Sequence, residues 1–185
     1  APNAFATGRS PSRAAVAVTH GALQLLTYEE LEGVMAHELA HVKNRDTLIS
    51  CVAATIAGAI SFLAHMAFWF GGAGRSRDNP FGAVAVILMI VLAPLAAMLI
   101  QMAISRSREY VADAEAARIA GTPMGLINAL RKLDAYSKRI PLQGEMPAQN
   151  HMFIVQPLSG ESLSNLFSTH PPTAQRIARL QELLR

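Results

Sequence analysis

Residues 37–41 read His37-Glu38-Leu39-Ala40-His41. On a helix, imidazoles four positions apart share one face, where a ring nitrogen of each can converge on a single tetrahedral ion. Glu38 lies beside them without being a ligand. In that position it can take a proton from a water that zinc has acidified and pass it to a leaving amine. The bland alternative is a helix carrying two surface histidines that match by chance. A catalytic site needs three protein ligands and an open fourth position. Cys51 is the only cysteine, so the third ligand is His, Asp or Glu. Glu109 and Asp113 are the best pair. Their spacing lets Glu109 bind the metal while Asp113 accepts a hydrogen bond from the far nitrogen of a ligating histidine, fixing its tautomer and orientation. The competing reading pairs both carboxylates with Arg106 or Arg108 on a solvated helix face.

The elements that must hold these residues are legible around them. Thr27, with Glu30 three residues on, forms a capping box that opens a helix whose apolar positions are Leu31, Val34, Met35, Leu39 and Val42. Upstream, residues 3–7 and 14–19 read as short strands around a turn at residues 8–11, which implies a small sheet. Downstream, residues 106–120 read as helix up to Gly121 and Pro123. The next helix is opened by Thr122-Pro123 and has a core stripe of Leu126, Ile127, Leu130 and Leu133. Residues 138–168 are irregular, and a last helix starts at Pro171-Pro172 and packs through Ile177, Leu180 and Leu184. No internal repeat and no low-complexity tract is present.

Composition points to a bilayer. Hydrophobic residues are 51% and charged ones 16% of the 185, more apolar and less charged than the roughly 25% charge of a soluble domain. Residues 47–105 hold only Arg75, Arg77 and Asp78 as charges. Residues 48–70 and 83–104 are each long enough to cross a hydrocarbon core of about 30 Å. Pro94 predicts a kink in the second, and Phe68-Trp69-Phe70 an interfacial end to the first. Two buried helices of a soluble protein are the alternative, but a chain this short has no other mass to wrap them. His65 reads as an interfacial or packed side chain and Cys51 as a buried, inert thiol. The expected division is therefore residues 1–47, a transmembrane hairpin over 48–105, and residues 106–185, with the hairpin returning the chain to the side it left. Lys43, Arg45, Arg106 and Arg108, set against Arg75 and Arg77 in the connecting loop, place that side in the cytoplasm. The net charge of +3 is spread among acidic residues, which argues against a nucleic-acid partner. The start, without an initiator Met, reads as that of a fragment, and no cleavable signal peptide is visible there.

The chain resembles the HtpX membrane proteases, relatives of the CAAX prenyl endoproteases within the gluzincin class. The resemblance rests on Asn3-Ala4-Phe5-Ala6-Thr7-Gly8, on Val16-Ala17-Val18-Thr19, and on residues 37–41 followed by Asn44-Arg45-Asp46. It continues in Ser105-Arg106-Ser107-Arg108-Glu109-Tyr110-Val111-Ala112-Asp113, and in Thr169-His170-Pro171-Pro172 followed by Arg176-Ile177. It implies one zinc per chain on His37, His41 and Glu109, Glu38 as general base and acid, and Asp113 behind the ligands. It also implies His170 near the active site, where it stabilises the oxyanion of the tetrahedral intermediate, and Arg176 orienting Glu109 or substrate. Residues Asn3, Ala4, Phe5 and Ala6 resemble the edge strand against which an extended peptide pairs. Family members carry two further spans ahead of this start. His20 stands where a small or hydroxylic residue is expected, and His151 receives no role.

The expected protein is an α+β, mostly α-helical zincin-like metallopeptidase domain with a small β-hairpin and an inserted transmembrane helical hairpin. Its expected setting is the cell inner membrane, crossed several times, where it hydrolyses misfolded or damaged membrane proteins or unfolded chains in quality control and stress response. Two rivals remain. A prenyl-protein endopeptidase needs many more spans, and a scaffold with a structural zinc site needs no general base such as Glu38.

Overall fold

The computed structural model describes residues 2–67, 69, 80–139 and 171–185. In chain order these form β1 (Ala4–Gly8), a 3-10 turn (Pro11–Arg13), β2 (Ala14–Val18), α1 (His20–Leu25), α2 (Tyr28–Lys43), α3 (Asp46–Ala67), α4 (Pro80–Ala120), α5 (Met124–Arg139) and α6 (Thr173–Glu182). They fall into two compact units. One joins Ala1–Thr47 to Ser105–Arg185, and the other is Leu48–Ile104.

In the first unit, β1 and β2 pair antiparallel from Ala4↔Val18 to Gly8↔Ala14. Gly8 closes this hairpin at φ 136°, where a Cβ would run into the backbone of Arg13 and Ala14, so only glycine fits. Thr19 ends β2 and starts α1 with one hydroxyl. It accepts from the amides of Asn3 and Ala22 and donates to the Asn3 carbonyl. Helix α1, six residues long, had no signal of its own in the apolar pattern.

Helix α2 begins with the expected capping box, in which Thr27 and Glu30 satisfy each other's amides; such a cap stabilises by about 1 kcal/mol. Lys132 of α5 reaches the same Glu30 carboxylate at 2.7 Å. The two helices cross with backbones nearly touching, since a Cβ on Gly33 would meet the backbone of Gly125 and Leu126. This close approach explains why small residues line the inner face of α2. Gly33, Val34, Ala36, His37 and Ala40 are buried, whereas Leu39, expected in the stripe, faces outward at 45% exposure.

The core gathers Ala22 and Leu26, Val34 and Ala36, Ala116, and Leu126, Ile127, Leu130 and Leu133, with Leu180 of α6 closing it. Each fully buried Leu or Ile contributes roughly 1.5–3 kcal/mol. Leu184 does not join them. It lies beyond the end of α6 at Glu182 and is exposed, because the chain leaves the helical face there.

The second unit contains most of α3 and the first part of α4. At 22 residues, α3 is about 33 Å long, enough to cross a hydrocarbon core. Only 6% of the apolar window in α3 and 11% of that in α4 is buried within the protein. A core helix of a soluble domain would bury most of its apolar surface, so these two fit a membrane. Helix α4 runs unbroken through Pro94 to Ala120, so the apolar stretch and the helix carrying Glu109 are one element. His65 Nδ1 turns back to Ser61 O of its own helix at 2.8 Å.

Candidate metal centre

His37 and His41 lie one turn apart on α2, their rings at 84° with centroids 4.5 Å apart. Their Nε2 atoms face each other at 3.1 Å. Glu109 of α4 meets both, with Oε1 3.4 Å from His41 Nε2 and Oε2 3.6 Å from His37 Nε2. Metal–ligand bonds of about 2.0–2.2 Å give a tetrahedron with edges of roughly 3.3–3.6 Å. The contacts of 3.1–3.6 Å come near that range, one oxygen of Glu109 meeting His41 and the other His37, and one donor atom from each side chain lies within 4.8 Å of the others, so the two imidazoles and the carboxylate form a set able to hold one divalent metal. Glu109 is buried and turned to the histidines, and Arg108 is engaged elsewhere, contrary to the solvated-face alternative.

Glu38, also buried, accepts a hydrogen bond from the Ala6 amide of β1 on Oε2 at 3.0 Å. Burial pushes its carboxyl up, and the neighbouring His37 and His41 only partly offset this. A carboxylate whose affinity for protons is raised beside a candidate metal site suits proton transfer.

Each histidine is backed by an acid. His37 Nδ1 lies 3.0 Å from Asp113 Oδ1, and Asp113 is in turn gripped by Arg176 through Nε at 2.8 Å and a terminal nitrogen at 2.6 Å. Arg176 is 1% exposed and also approaches Glu109 Oε2 at 3.4 Å. His41 Nδ1 lies 2.7 Å from Asp46 Oδ2, and Arg108 Nε donates to the other oxygen of Asp46 at 2.6 Å. Neither Asp46 nor Arg108 was expected at the centre. The available signal was an acid five residues past His41, just beyond the end of α2.

Around His37 and His41, the four buried carboxylates Glu38, Asp46, Glu109 and Asp113 face two guanidiniums, Arg108 and Arg176. Two negative charges are left over, the complement of one divalent cation. Burial pulls His41 down, but Asp46 and Glu109 outweigh it and carry it up to about 10. His37 is likewise raised, with Asp113 and Glu109 overcoming burial. Asp113 is held down to about 2, Arg176 prevailing over burial.

The structure thus brings together His37, Glu38, His41, Glu109, Asp113 and Arg176, and Ala6 by its main chain. Of the rest of the expected edge strand, Asn3 is bound to Thr19, Ala4 is buried in the core, and Phe5 is paired with Ala17. His20 sits on α1 against Gln24. His170 and His151 lie outside the described residues.

Two histidines four apart on one helix and a glutamate from a second helix, beside a small β-hairpin in a mostly helical unit, define a zincin-like metal site of the gluzincin type. The family described as Peptidase family M48 matches residues 1–184, and the chain belongs to it. It is similar to a protein named Protease HtpX homolog from Desulfatibacillum aliphaticivorans, 64% identical over 97% of this chain and 59% of that protein. Proteins of the same name from Syntrophotalea carbinolica and Desulforapulum autotrophicum are 58% and 60% identical, over 98% and 97% of this chain and 66% and 59% of theirs. The chain thus spans between 59% and 66% of the length of these relatives. No solved structure matches it.

Proposed function

We propose that this chain carries the catalytic centre of a zinc-dependent, membrane-embedded endopeptidase, with one zinc on His37, His41 and Glu109. The observation that carries the reading is the convergence of one donor atom each from His37, His41 and Glu109, all within 4.8 Å of one another, next to the buried carboxylate of Glu38. Zinc, when bound, supplies Lewis-acid chemistry, lowering the pKa of water and polarising a carbonyl.

The chain's own residues do the rest. Glu38 takes a proton from the attacking water and delivers it to the amine nitrogen as the peptide bond breaks, so that water and peptide become an acid and an amine. The Ala6 amide holds one oxygen of Glu38 and leaves the other to handle the proton. Asp113 and Arg176 fix His37. In this reading His170 donates to the developing oxyanion, and residues Asn3, Ala4, Phe5 and Ala6 align an extended substrate along β1.

The substrates are misfolded or damaged membrane proteins and unfolded chains, cleaved in quality control under stress, as the similarity to proteins named Protease HtpX homolog supports. The apolar helices α3 and α4 cross the inner membrane as part of a multi-pass protein, and the site faces the cytoplasm.

The test is proteolysis of an unfolded reporter by the full-length protein in detergent, with zinc, with chelator, and with Glu38→Gln. Cleavage that needs both zinc and Glu38 supports the reading. Cleavage unaffected by chelator, or a zinc-loaded protein that never cleaves, overturns it; the second result is what a scaffold with a structural zinc would give.

A further inference from the structure

We propose that Asp46 is a positioning residue of the metal centre and that Arg108, by holding Asp46, sets the orientation of the ligand His41. The inference rests on the reading of His41 as a ligand and adds to it a part that the motif does not contain.

The placement of Asp46 is constructed. On a continuous helix a residue five positions after His41 would point about 140° away from it. Helix α2 instead stops, Asn44 capping it by donating its backbone N–H to the Ala40 carbonyl. Arg45 takes φ 55°, the one non-glycine residue at positive φ among those described. Such a conformation is uncommon for a long side chain, and outliers of this kind gather where function requires them. Its effect is to fold Asp46, the first residue of α3, back onto His41.

Both oxygens of Asp46 then have dedicated partners. Oδ2 lies 2.7 Å from His41 Nδ1, and Oδ1 receives Arg108 Nε at 2.6 Å and a second nitrogen of the same guanidinium. That guanidinium also reaches the Asn44 carbonyl at 3.4 Å, bracing the turn that delivers Asp46. An acid on the far nitrogen of a ligating histidine fixes its tautomer, aims its other nitrogen and raises its basicity. Arg108 immediately precedes Glu109, so this one carboxylate ties the helix that supplies two ligands to the helix that supplies the third. A change at Arg108 should therefore be felt at the metal without touching any ligand.

The test uses the full-length protein in detergent as Asp46→Ala, Asp46→Asn, Arg108→Met and Lys43→Met. The last removes an exposed pair with Glu115 near the same helix end and serves as control. Three quantities are read: the zinc dissociation constant by chelator competition, the absorption bands of the cobalt-substituted protein, and thermal unfolding. Asp46→Ala should weaken zinc about 10–100-fold, the range for loss of such a partner. Asp46→Asn and Arg108→Met should weaken it less, all three should shift the cobalt bands, and Lys43→Met should do neither. If Asp46→Ala does not fold, the isosteric Asp46→Asn decides. Unchanged zinc affinity and cobalt bands in these variants, with only the unfolding temperature lowered, would show that Asp46 merely begins α3, and would overturn the inference while leaving the proposed function standing. A wild-type protein that takes up neither metal overturns both.

Discussion

Arg176 grips both oxygens of Asp113 from α6, and the pair is almost wholly buried. A buried carboxylate left without its partner is costly, so Arg176→Met should destabilise the protein by about 3–5 kcal/mol, measured by denaturant unfolding. The folded-state pKa of Asp113 lies near 2, below its ordinary 3.8. Its contribution is therefore fully present above about pH 4 and lost as pH falls through 2. The gap between wild type and Arg176→Met should accordingly narrow in strong acid. A gap that widens there would show that Asp113 is not the group Arg176 stabilises.

Glu38→Gln should keep its metal and lose turnover by about two to four orders of magnitude, since the ligands remain while the proton carrier is removed. Metal analysis paired with kinetics checks this, and near-normal turnover by a metal-loaded variant would exclude Glu38 as the base.

Glu109→Ala and Asp113→Ala should differ in order of severity. The first removes a ligand of the proposed set, and on that reading should abolish cleavage and strip the metal. The second leaves three ligands and should cost about 10–100-fold in affinity. Full metal occupancy in Glu109→Ala, by mass spectrometry of the purified variants, would show that another carboxylate holds the ion.

Metal uptake at pH 7 should release protons. His41, raised to about 10 in the metal-free protein, binds metal only as neutral imidazole. Calorimetric titrations in buffers of different ionisation enthalpy measure the release. Binding enthalpies that do not vary with the buffer would mean the histidines are already neutral.

Cys51, expected from the sequence to be buried within the protein, is instead exposed on the surface of α3, because that helix turns its apolar side chains outward; in the bilayer it should resist a membrane-impermeant maleimide and in denaturant react, with Cys51→Ser marking the signal. In that Cys51→Ser background, Thr47→Cys and Ser107→Cys should label from one and the same side. Labelling from opposite sides would rule out a pair of spans that returns the chain.

The parts of the candidate site visible in the sequence are those built from helical periodicity. His37, Glu38 and His41 announce themselves within one helix turn, and Glu109 with Asp113 within another, because spacing of four is a local property. Asp46 was not visible, since its reach to His41 depends on the left-handed Arg45, and long side chains give no warning of that conformation. Arg176 came only through family resemblance, and besides approaching Glu109 it grips Asp113, a partner with no sign in the sequence. In the fold, the stripe of α5 was read correctly because its leucines are large and inward. Leu39 misled because the inner face of α2 is kept small for the Gly33–Gly125 crossing, leaving the bulkier residue outside. Helix α1 is too short to show a period.

The bond from the Ala6 amide to Glu38 has a consequence for the order of events at β1. The strand pairs with β2 through Asn3, with Thr19 N donating to Asn3 O. By antiparallel alternation Ala4 and Ala6 then turn their amides and carbonyls the other way, and among the described residues no third strand takes them. On the proposed reading of β1 as a docking strand and Glu38 as the base, a guest chain laid along that row meets Glu38 as a competitor for one donor. If its ladder skips Ala6, the base stays tethered throughout the cycle. If it claims Ala6, docking itself sets the base loose, and a peptide too short to reach that position would sit in the cleft with the base still held.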